Sequence, residues 1–393
     1  MTAGVSALQK CRVGSLENLM ARLYNRSSMA VTVRSFAKIN LGLGIGPLRP
    51  DGFHELRTVY QTIALHDVIR VEVKRGAGVE IRCADARVPA DQSNTCYRMV
   101  ELAMAALKAK GRVVIEIEKR LPVQGGLGGA SANAVAALLG LERALGKSLS
   151  GAERLRIAAA VGSDIPLFLV GGTVLGVGRG EEVYPLPDLG ALACVVATPG
   201  IAVSTPKAFA EWDRMCGAGE SVELRSTGTA EGGRPHASSG SRVSSGGAQG
   251  MPAKLTGGAG SDRMLELGRV VSAWLSQAQR DVKSGKALSG VPARHGRGRA
   301  ETPLLDLVRT GIENDFERVV FPQYPELREV KRVLVRSGAV YASLSGSGSA
   351  LYGLFARGAG AEQAAARLRK TGIPAVATRT LTRRQYWKRI FDC

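Results

Sequence analysis

A glycine-rich loop between a predicted strand and a predicted helix constrains this chain of 393 residues more than any other segment. The loop reads LPVQGGLGGASANA over residues 121–134. Before it, Val113, Ile115 and Ile117 alternate with other residues, which is typical of a half-buried strand. After it, apolar residues recur at helical spacing across 135–145. A loop that opens a helix faces unpaired N–H groups, and glycine allows close backbone approach, so the segment predicts a phosphate site.

Two better-known phosphate loops require residues that this segment lacks. A P-loop needs Lys and then Ser or Thr after its last glycine, whereas Gly129 is followed by Ala130 and Ser131. The dinucleotide-binding fingerprint, counted from Gly126 and Gly128, needs a third glycine where Ser131 stands. The segment alone leaves two interpretations open: a phosphate loop of another kind, or a tight turn without a ligand.

The composition is that of a soluble globular protein with a strong positive charge. The chain is 45% hydrophobic, has a formal net charge of +19 and is long enough for two domains. No apolar run approaches the ~20 residues of a membrane helix, so no membrane partner is expected. The charge favours an anionic substrate or nucleic acid. Its densest patch combines basic and aromatic residues, namely Arg383, Arg384, Tyr386, Trp387, Lys388 and Arg389.

Cysteine and histidine spacing argues against a disulfide framework and against a zinc site. The six cysteines are far apart without a C-x-x-C pair, and the four histidines form no metal-spaced cluster. Reduced thiols are the default for such a chain, and we expect a cytoplasmic protein.

Composition also divides the chain. Residues 1–28 are predicted to be a disordered extension, and 29–190 alternate strand-like and helix-like segments as a first domain. A second domain is predicted over 191–393, beginning with an apolar strand. It is interrupted at about 217–301 by a Gly/Ser-rich insertion, which we expect to be largely disordered because it has too few apolar residues to form a core.

Short motifs stand at regular places on both sides of the glycine-rich loop. They read SFAKINL (35–41), RPDGFHEL (49–56) with TVYQ (58–61), GSDIPLF (162–168), NDFE (314–317) and LSGSG (344–348). In this order they resemble the GHMP small-molecule kinases. Within that family they are most similar to the kinases that act on 4-diphosphocytidyl-2-C-methyl-D-erythritol, here shortened to CDP-methylerythritol.

The resemblance implies an α+β fold, with a ribosomal-S5-like N-terminal domain that binds ATP and a ferredoxin-like C-terminal domain. It also implies a reaction in which ATP phosphorylates the 2-hydroxyl of the methylerythritol moiety, with Mg²⁺ accompanying ATP. The expected partner is therefore this small-molecule substrate, and neither nucleic acid nor membrane is expected. The protein itself is expected to be a monomer or a homodimer.

The resemblance also implies site residues. The catalytic pair would be Lys38 and Asp164, and direct metal ligands are not assigned. ATP would be bound by Asn94, Lys119, Pro122, Val123, Gln124, Gly125, Gly126, Leu127, Gly128, Gly129, Ala130, Ser131 and Ala132. The substrate would be bound by Asn40, Phe53, His54, Thr205 and Phe209, with Phe53 and Phe209 flanking the cytosine and His54 contacting its edge.

Departures from the family pattern and rival interpretations accompany these assignments. Phe53 stands where the family usually has Tyr, Ala130 where it has Gly, and Ala132 where it has a second Ser. Without the family pattern, Lys38 reads as a surface lysine and Asp164 as a helix cap. Two other functions stay open: another GHMP kinase such as homoserine kinase, and a basic RNA-binding protein on an S5-like scaffold.

Overall fold

A computed structural model describes residues 30–123, 125–225 and 313–391, with side chains as far as 217 in the second range. The predictions for residues 1–28, for Gln124 and for most of the 217–301 insertion lie outside these residues. No helix in the described ranges is long and apolar enough to cross a membrane.

Two long antiparallel strands form the frame of the first domain, β1 (Val31–Leu48) and β2 (His54–Lys74). Four shorter strands complete the sheet: β3 (Gly78–Cys83), β4 (Arg112–Glu118), β5 (Thr173–Val177) and β6 (Glu182–Pro185). The order is β3-β4-β2-β5-β6, with β1 paired to β2, and only β3 and β4 run parallel. The first half of β2 pairs with β5 and its second half with β4, so β2 connects both ends of the sheet.

The helix after the glycine-rich loop is the central helix of this domain. Every residue from 132 to 142 in it is buried, and all of them except Asn133 and Glu142 are apolar residues or glycine. Gly140 allows close packing, because a β-carbon there would lie 2.7 Å from the Val71 side chain on β2. The helices of the domain are α1 (Thr95–Ala106), α2 (Gly129–Leu145), α3 (Gly151–Val161) and α4 (Leu167–Val170). The strand and helix predicted around the loop are β4 and α2.

A four-stranded antiparallel sheet in the order β10-β7-β9-β8 forms the second domain. Its strands are β7 (Ala193–Ala197), β8 (Tyr341–Leu344), β9 (Leu351–Phe355) and β10 (Ala375–Arg379). Its helices are α5 (Thr205–Arg225), α6 (Phe316–Gln323), α7 (Pro325–Arg336) and α8 (Gly358–Lys370). The helix α5 extends past residue 217, where the change in composition placed the start of the insertion. Two sheet-and-helix domains confirm the predicted α+β class.

The two domains share an apolar core. Ile39 and Leu41 of β1 pack in one cluster with Val196 of β7 and Tyr352 of β9, and the Tyr352 hydroxyl donates to the Asn40 carbonyl oxygen at 2.7 Å. A buried cluster of this kind holds two sheets in one arrangement. The Gly/Ser loop that precedes β9 is therefore held against the glycine-rich loop that follows β4.

The last helix, α9 (Arg383–Arg389), returns to the first domain. Tyr386 is buried in the core of that domain, and its hydroxyl donates to the Phe168 carbonyl oxygen at 2.7 Å. The Trp387 indole donates to the Val170 carbonyl oxygen at 3.0 Å. The last helix thus packs with the first domain, although the predicted range 191–393 assigns it to the second.

Candidate active site

The glycine-rich loop crosses from the end of β4 to the start of α2 in a conformation that needs glycine. Gly126 and Gly128 have φ values of +74° and +69°, in the left-handed region that L side chains rarely adopt. Gly128 is the N-cap of α2 and no side chain caps the helix there. The first-turn N–H groups of α2 therefore keep their hydrogen-bonding capacity for an anion.

A cleft of about 370 Å³ lies over this loop. The start of α1 forms one wall through Ser93, Asn94 and Thr95, and the Thr95 hydroxyl donates to the Ala130 carbonyl oxygen at 2.8 Å. The predicted ATP residues that line the cleft are Asn94, Lys119, Pro122, Val123, Gly125, Gly126, Leu127, Gly128, Gly129, Ala130 and Ser131.

Ala132 is the described member of the predicted ATP set that does not line the cleft. Its side chain is buried in the core of the first domain, and its N–H donates to the Gly128 carbonyl oxygen within the helix. The side chain of a serine at this position would point into the core and would not line the cleft. Ser131 lines the cleft instead.

Lys119 is held at the cleft by a carboxylate that sequence reasoning missed. Its Nζ lies 2.5 Å from Asp67 Oδ2, and Asp67 is fully buried. The other Asp67 oxygen accepts the backbone N–H groups of Arg120 and Leu121 at 2.7 Å each. Asp67 thus fixes both the lysine and the start of the loop. The chain offered no motif for this pair because 52 residues separate its members.

Lys38 and Asp164 lie side by side, as the resemblance implied. Lys38 is 3% exposed and is therefore not a solvated surface lysine. Its Nζ donates to Asn40 Oδ1 at 2.6 Å and lies 3.4 Å from Asp164 Oδ2. The Asn40 amide in turn donates to the Thr58 hydroxyl at 2.8 Å. Lys38 also contacts the loop, since its backbone N–H donates to the Leu127 carbonyl oxygen at 2.9 Å.

The Gly/Ser loop of the second domain completes the site. The Ser345 hydroxyl donates to the Gly126 carbonyl oxygen at 2.9 Å, and the Ala350 N–H donates to the Gly125 carbonyl oxygen at 3.1 Å. A β-carbon on Gly346 would lie 3.6 Å from Lys38 Nζ. Asn314 holds this loop in place, because its amide donates to the Leu344 and Gly346 carbonyl oxygens. The two glycine-rich loops therefore meet beside Lys38.

The predicted substrate residues do not form one cluster: Asn40 lies beside Lys38, and the other four take part in three separate contacts. His54 and Phe209 stack face to face, with ring centroids 4.9 Å apart and planes at 4°, and His54 Nε2 lies 3.2 Å from Asp213 Oδ1. Phe53 is half-exposed and its ring contacts the Arg179 guanidinium at 4.9 Å. Thr205 begins α5 and its hydroxyl is 2.7 Å from that of Ser347.

The structure also shows the surroundings of the C-terminal aromatic residues on which the RNA-binding alternative depends. Tyr386 of the basic C-terminal patch is buried in the first domain, so its ring is not exposed to stack on bases. Trp387 is partly buried against the same core, where its indole donates to the Val170 carbonyl oxygen. Within the described ranges, no group of three or more His, Cys, Asp or Glu side chains is arranged to hold a metal ion.

Comparisons with known proteins agree with this geometry. Residues 94–172 match the GHMP kinases N terminal domain and residues 301–374 the GHMP kinases C terminal domain. The 4-diphosphocytidyl-2-C-methyl-D-erythritol kinase of Solibacter usitatus is 35% identical over 82% of this chain and 80% of its own. That of Acaryochloris marina is 32% identical over 88% of this chain and 93% of its own.

Solved structures give the same result. A 4-(cytidine 5'-diphospho)-2C-methyl-D-erythritol kinase superimposes with a TM-score of 0.59 and 26% identity, covering 89% of this chain and 98% of its own. A homoserine kinase from Cytophaga hutchinsonii has a TM-score of 0.58 over 91% and 96% of the two chains, but at 17% identity it shows the fold alone. The chain belongs to the GHMP kinases and, within them, to the family of the 4-diphosphocytidyl-2-C-methyl-D-erythritol kinases.

Proposed function

We propose that this protein is an ATP-dependent kinase that phosphorylates the 2-hydroxyl of CDP-methylerythritol, a step of the non-mevalonate pathway to isoprenoid precursors. One observation carries the proposal: the Lys38–Asp164 pair lies beside Gly128, the uncapped start of α2, so an acceptor hydroxyl and a phosphate group can meet there. A β-carbon on Gly128 would lie 3.0 Å from Lys38 Cγ, which shows how closely the loop and the lysine approach.

The cleft residues provide the phosphate site. The first-turn N–H groups of α2 and the positive end of its dipole stabilise negative charge at a fixed position. Lys119 adds a positive charge at the same cleft, and Asp67 keeps its Nζ in place. Positioning and charge neutralisation are the main contributions that a protein makes to phosphoryl transfer.

The acceptor site is provided by Asp164 and Lys38. The Asp164 side chain is 36% exposed, so a hydroxyl can reach its carboxylate. In our proposal the carboxylate orients that hydroxyl and takes its proton late, as the new O–P bond forms and ADP leaves. Lys38 Nζ, held by Asn40, stabilises the negative charge that develops on the oxygen.

The cytidine would be held on the second-domain side, by Phe209, Phe53 and His54. A flat pyrimidine on the stacked face of Phe209 would replace the His54 ring, whose Nε2 could then contact the base edge. Thr205 and Asn40 are the further substrate contacts that we propose. Recognition of the base by a hydrogen-bonding side chain would select CDP-methylerythritol against acceptors without a cytidine, such as homoserine.

Mg²⁺ would arrive with ATP and neutralise charge on its phosphates, as it does in other phosphoryl-transfer enzymes. The Ser131 hydroxyl, which lines the cleft, is an oxygen donor that suits an ion held mainly by phosphate and water. We further propose that the enzyme works in the cytoplasm, as a monomer or a homodimer, without a nucleic-acid or membrane partner.

The test is ADP release with CDP-methylerythritol, homoserine or mevalonate as acceptor, for the native protein and for Asp164→Asn and Lys38→Met. We expect turnover with CDP-methylerythritol only, and a loss of about 10²-fold or more in kcat for each variant. Lys74→Met is the matched control, because Lys74 pairs with Glu72 on the far end of β2. Turnover with homoserine and none with CDP-methylerythritol would overturn the proposed substrate. Turnover unaffected by Asp164→Asn would overturn the role of Asp164.

A further inference from the structure

We propose that Tyr60 is a positioning residue for the reaction: its hydroxyl holds the Asp164 carboxylate in the orientation that presents Oδ2 to Lys38 and to the acceptor. The inference rests on the proposed function of Asp164. Tyr60 has no part in the assignments drawn from the sequence, although it lies in the TVYQ motif.

The two oxygens of Asp164 have different partners. The Tyr60 hydroxyl donates to Oδ1 at 2.9 Å, and Lys38 Nζ lies 3.4 Å from Oδ2. A carboxylate held at one oxygen by a hydrogen bond and at the other by a charge cannot rotate about its last torsion without losing one of them. Since the Asp164 side chain is one-third exposed, no tight packing would otherwise hold it in one rotamer.

Tyr60 itself is rigid. It is 1% exposed on β2, between the paired strands β1 and β5. Two glycines make room for it: a β-carbon on Gly176 would lie 2.5 Å from Tyr60 Cε2, and one on Gly180 would lie 2.6 Å from the hydroxyl oxygen. Space for a complete tyrosine, hydroxyl included, is therefore built into the strand and the turn that face it. Its donor position is set by the sheet and not by a flexible loop.

The charged groups around this pair favour donation by Tyr60. Lys38 faces Asp164 from β1 and also lies 5.5 Å above the Tyr60 ring. Glu181 faces Tyr60 from the turn after β5, where it pairs with Arg179 at 3.1 Å. Burial, with the charges of Asp164 and Glu181, raises the pKa of Tyr60 well above its ordinary value. The phenol therefore stays protonated and its hydrogen bond stabilises the ionised carboxylate.

The experiment compares Tyr60→Phe with the native enzyme, using ATP and CDP-methylerythritol. Phenylalanine keeps the ring and the contact with Lys38 and removes only the hydroxyl. We expect kcat to fall about 10- to 100-fold, the worth of one hydrogen bond to a charged group, with KM for ATP unchanged. We also expect the acid limb of the kcat/KM profile to move up by about one pH unit, because the ionised carboxylate has lost a donor.

Two controls separate positioning from a general structural effect. Tyr341→Phe removes the hydroxyl of a partly buried tyrosine, which donates to the Leu41 carbonyl oxygen at 2.9 Å, and should leave the acid limb in place. The second control repeats Tyr60→Phe in the Asp164→Asn background, where we expect its effect on the residual rate to disappear. ATP affinity by calorimetry verifies that each variant is folded.

Three results would overturn the inference: a native kcat and acid limb in Tyr60→Phe, an equal shift in Tyr341→Phe, or an undiminished effect in the Asp164→Asn background. Failure of the proposed function gives a different result, because the native enzyme would then show no turnover of CDP-methylerythritol at all.

Discussion

Gly126 in the first domain and Ser345 in the second meet backbone to backbone: a β-carbon on Gly126 would overlap the Ser345 carbonyl oxygen. The Ser345 hydroxyl donates to the Gly126 carbonyl oxygen from the same loop. The glycine-rich loop is therefore one of the places where the two domains touch, and its shape depends on both of them.

Gly126→Ala should consequently destabilise the protein and impair nucleotide binding. Two costs add: the left-handed φ, about 1–2 kcal/mol, and the overlap with Ser345, about 1–3 kcal/mol. Gly146→Ala is a matched control, since Gly146 has φ +62° but open space around its β-carbon position. Urea unfolding and the KM for ATP measure both effects. Equal losses of unfolding free energy in the two variants would show that the overlap contributes nothing.

The C-terminal helix should be essential for the stability of the first domain. Tyr386→Ala removes a buried ring and should lower the free energy of unfolding by about 3–5 kcal/mol. Tyr386→Phe leaves the Phe168 carbonyl oxygen without its donor and should cost about 1–3 kcal/mol. Tyr184→Ala, at a half-exposed tyrosine on β6, should cost about 0.5 kcal/mol or less. Similar unfolding midpoints for Tyr386→Ala and Tyr184→Ala would contradict the packing described above.

Phe209→Leu should weaken binding of the cytidine substrate and leave ATP binding unchanged. The leucine keeps apolar volume but loses the ring face that now stacks on His54. We expect KM for CDP-methylerythritol to rise about twofold to tenfold, the usual worth of an aromatic stacking pair. Phe321→Leu, in the core of the second domain, loses a ring without touching His54 and serves as the control. A rise in the KM for ATP in Phe209→Leu, with none for the other substrate, would refute the assignment.

His66 should make the protein less stable as the pH falls below about 6.5. Burial against Phe36 lowers the pKa of His66 in the folded state, and the charges of Arg120 and Arg34 lower it further. The unfolded chain therefore takes up this proton first, and stability is lost between the ordinary and the lowered pKa. The loss of stability from about pH 7.5 to about pH 5.5 should be smaller in His66→Gln. Urea midpoints at the two pH values test this, and equal losses in both proteins would contradict it.

Short sequence segments were enough to predict the glycine-rich loop and the candidate catalytic pair. The glycine-rich loop predicted β4 and α2, and both are present in the structure. The phosphate site predicted between them stays a prediction, supported by the cleft over the uncapped start of α2. Lys38 and Asp164 were paired through the family resemblance, and they lie 3.4 Å apart. The features of the loop are local, because a left-handed glycine, a helix start or a strand alternation depends on a few neighbouring residues. The Lys38–Asp164 pair is not local and was found only through the resemblance.

The residues that hold Lys119 and Asp164 in place could not be identified from the sequence. Asp67 holds Lys119 across 52 residues, and Tyr60 holds Asp164 across 104. Neither pair has a spacing that a strand or helix period could reveal. Ala132 shows the converse, because it stands in the loop motif and yet its side chain faces the core.

The sequence by itself determined the family and the glycine-rich loop, and it supplied the candidate residues for phosphoryl transfer. Only the tertiary structure decided that the Gly/Ser loop at 344–348 closes on Gly125 and Gly126, and that the last helix supports the first domain. The reason is physical: these contacts arise when the register of β1 and β2, and the apolar core shared by the two sheets, bring distant segments together. Register is a property of two paired strands, so the sequence of neither strand alone fixes it.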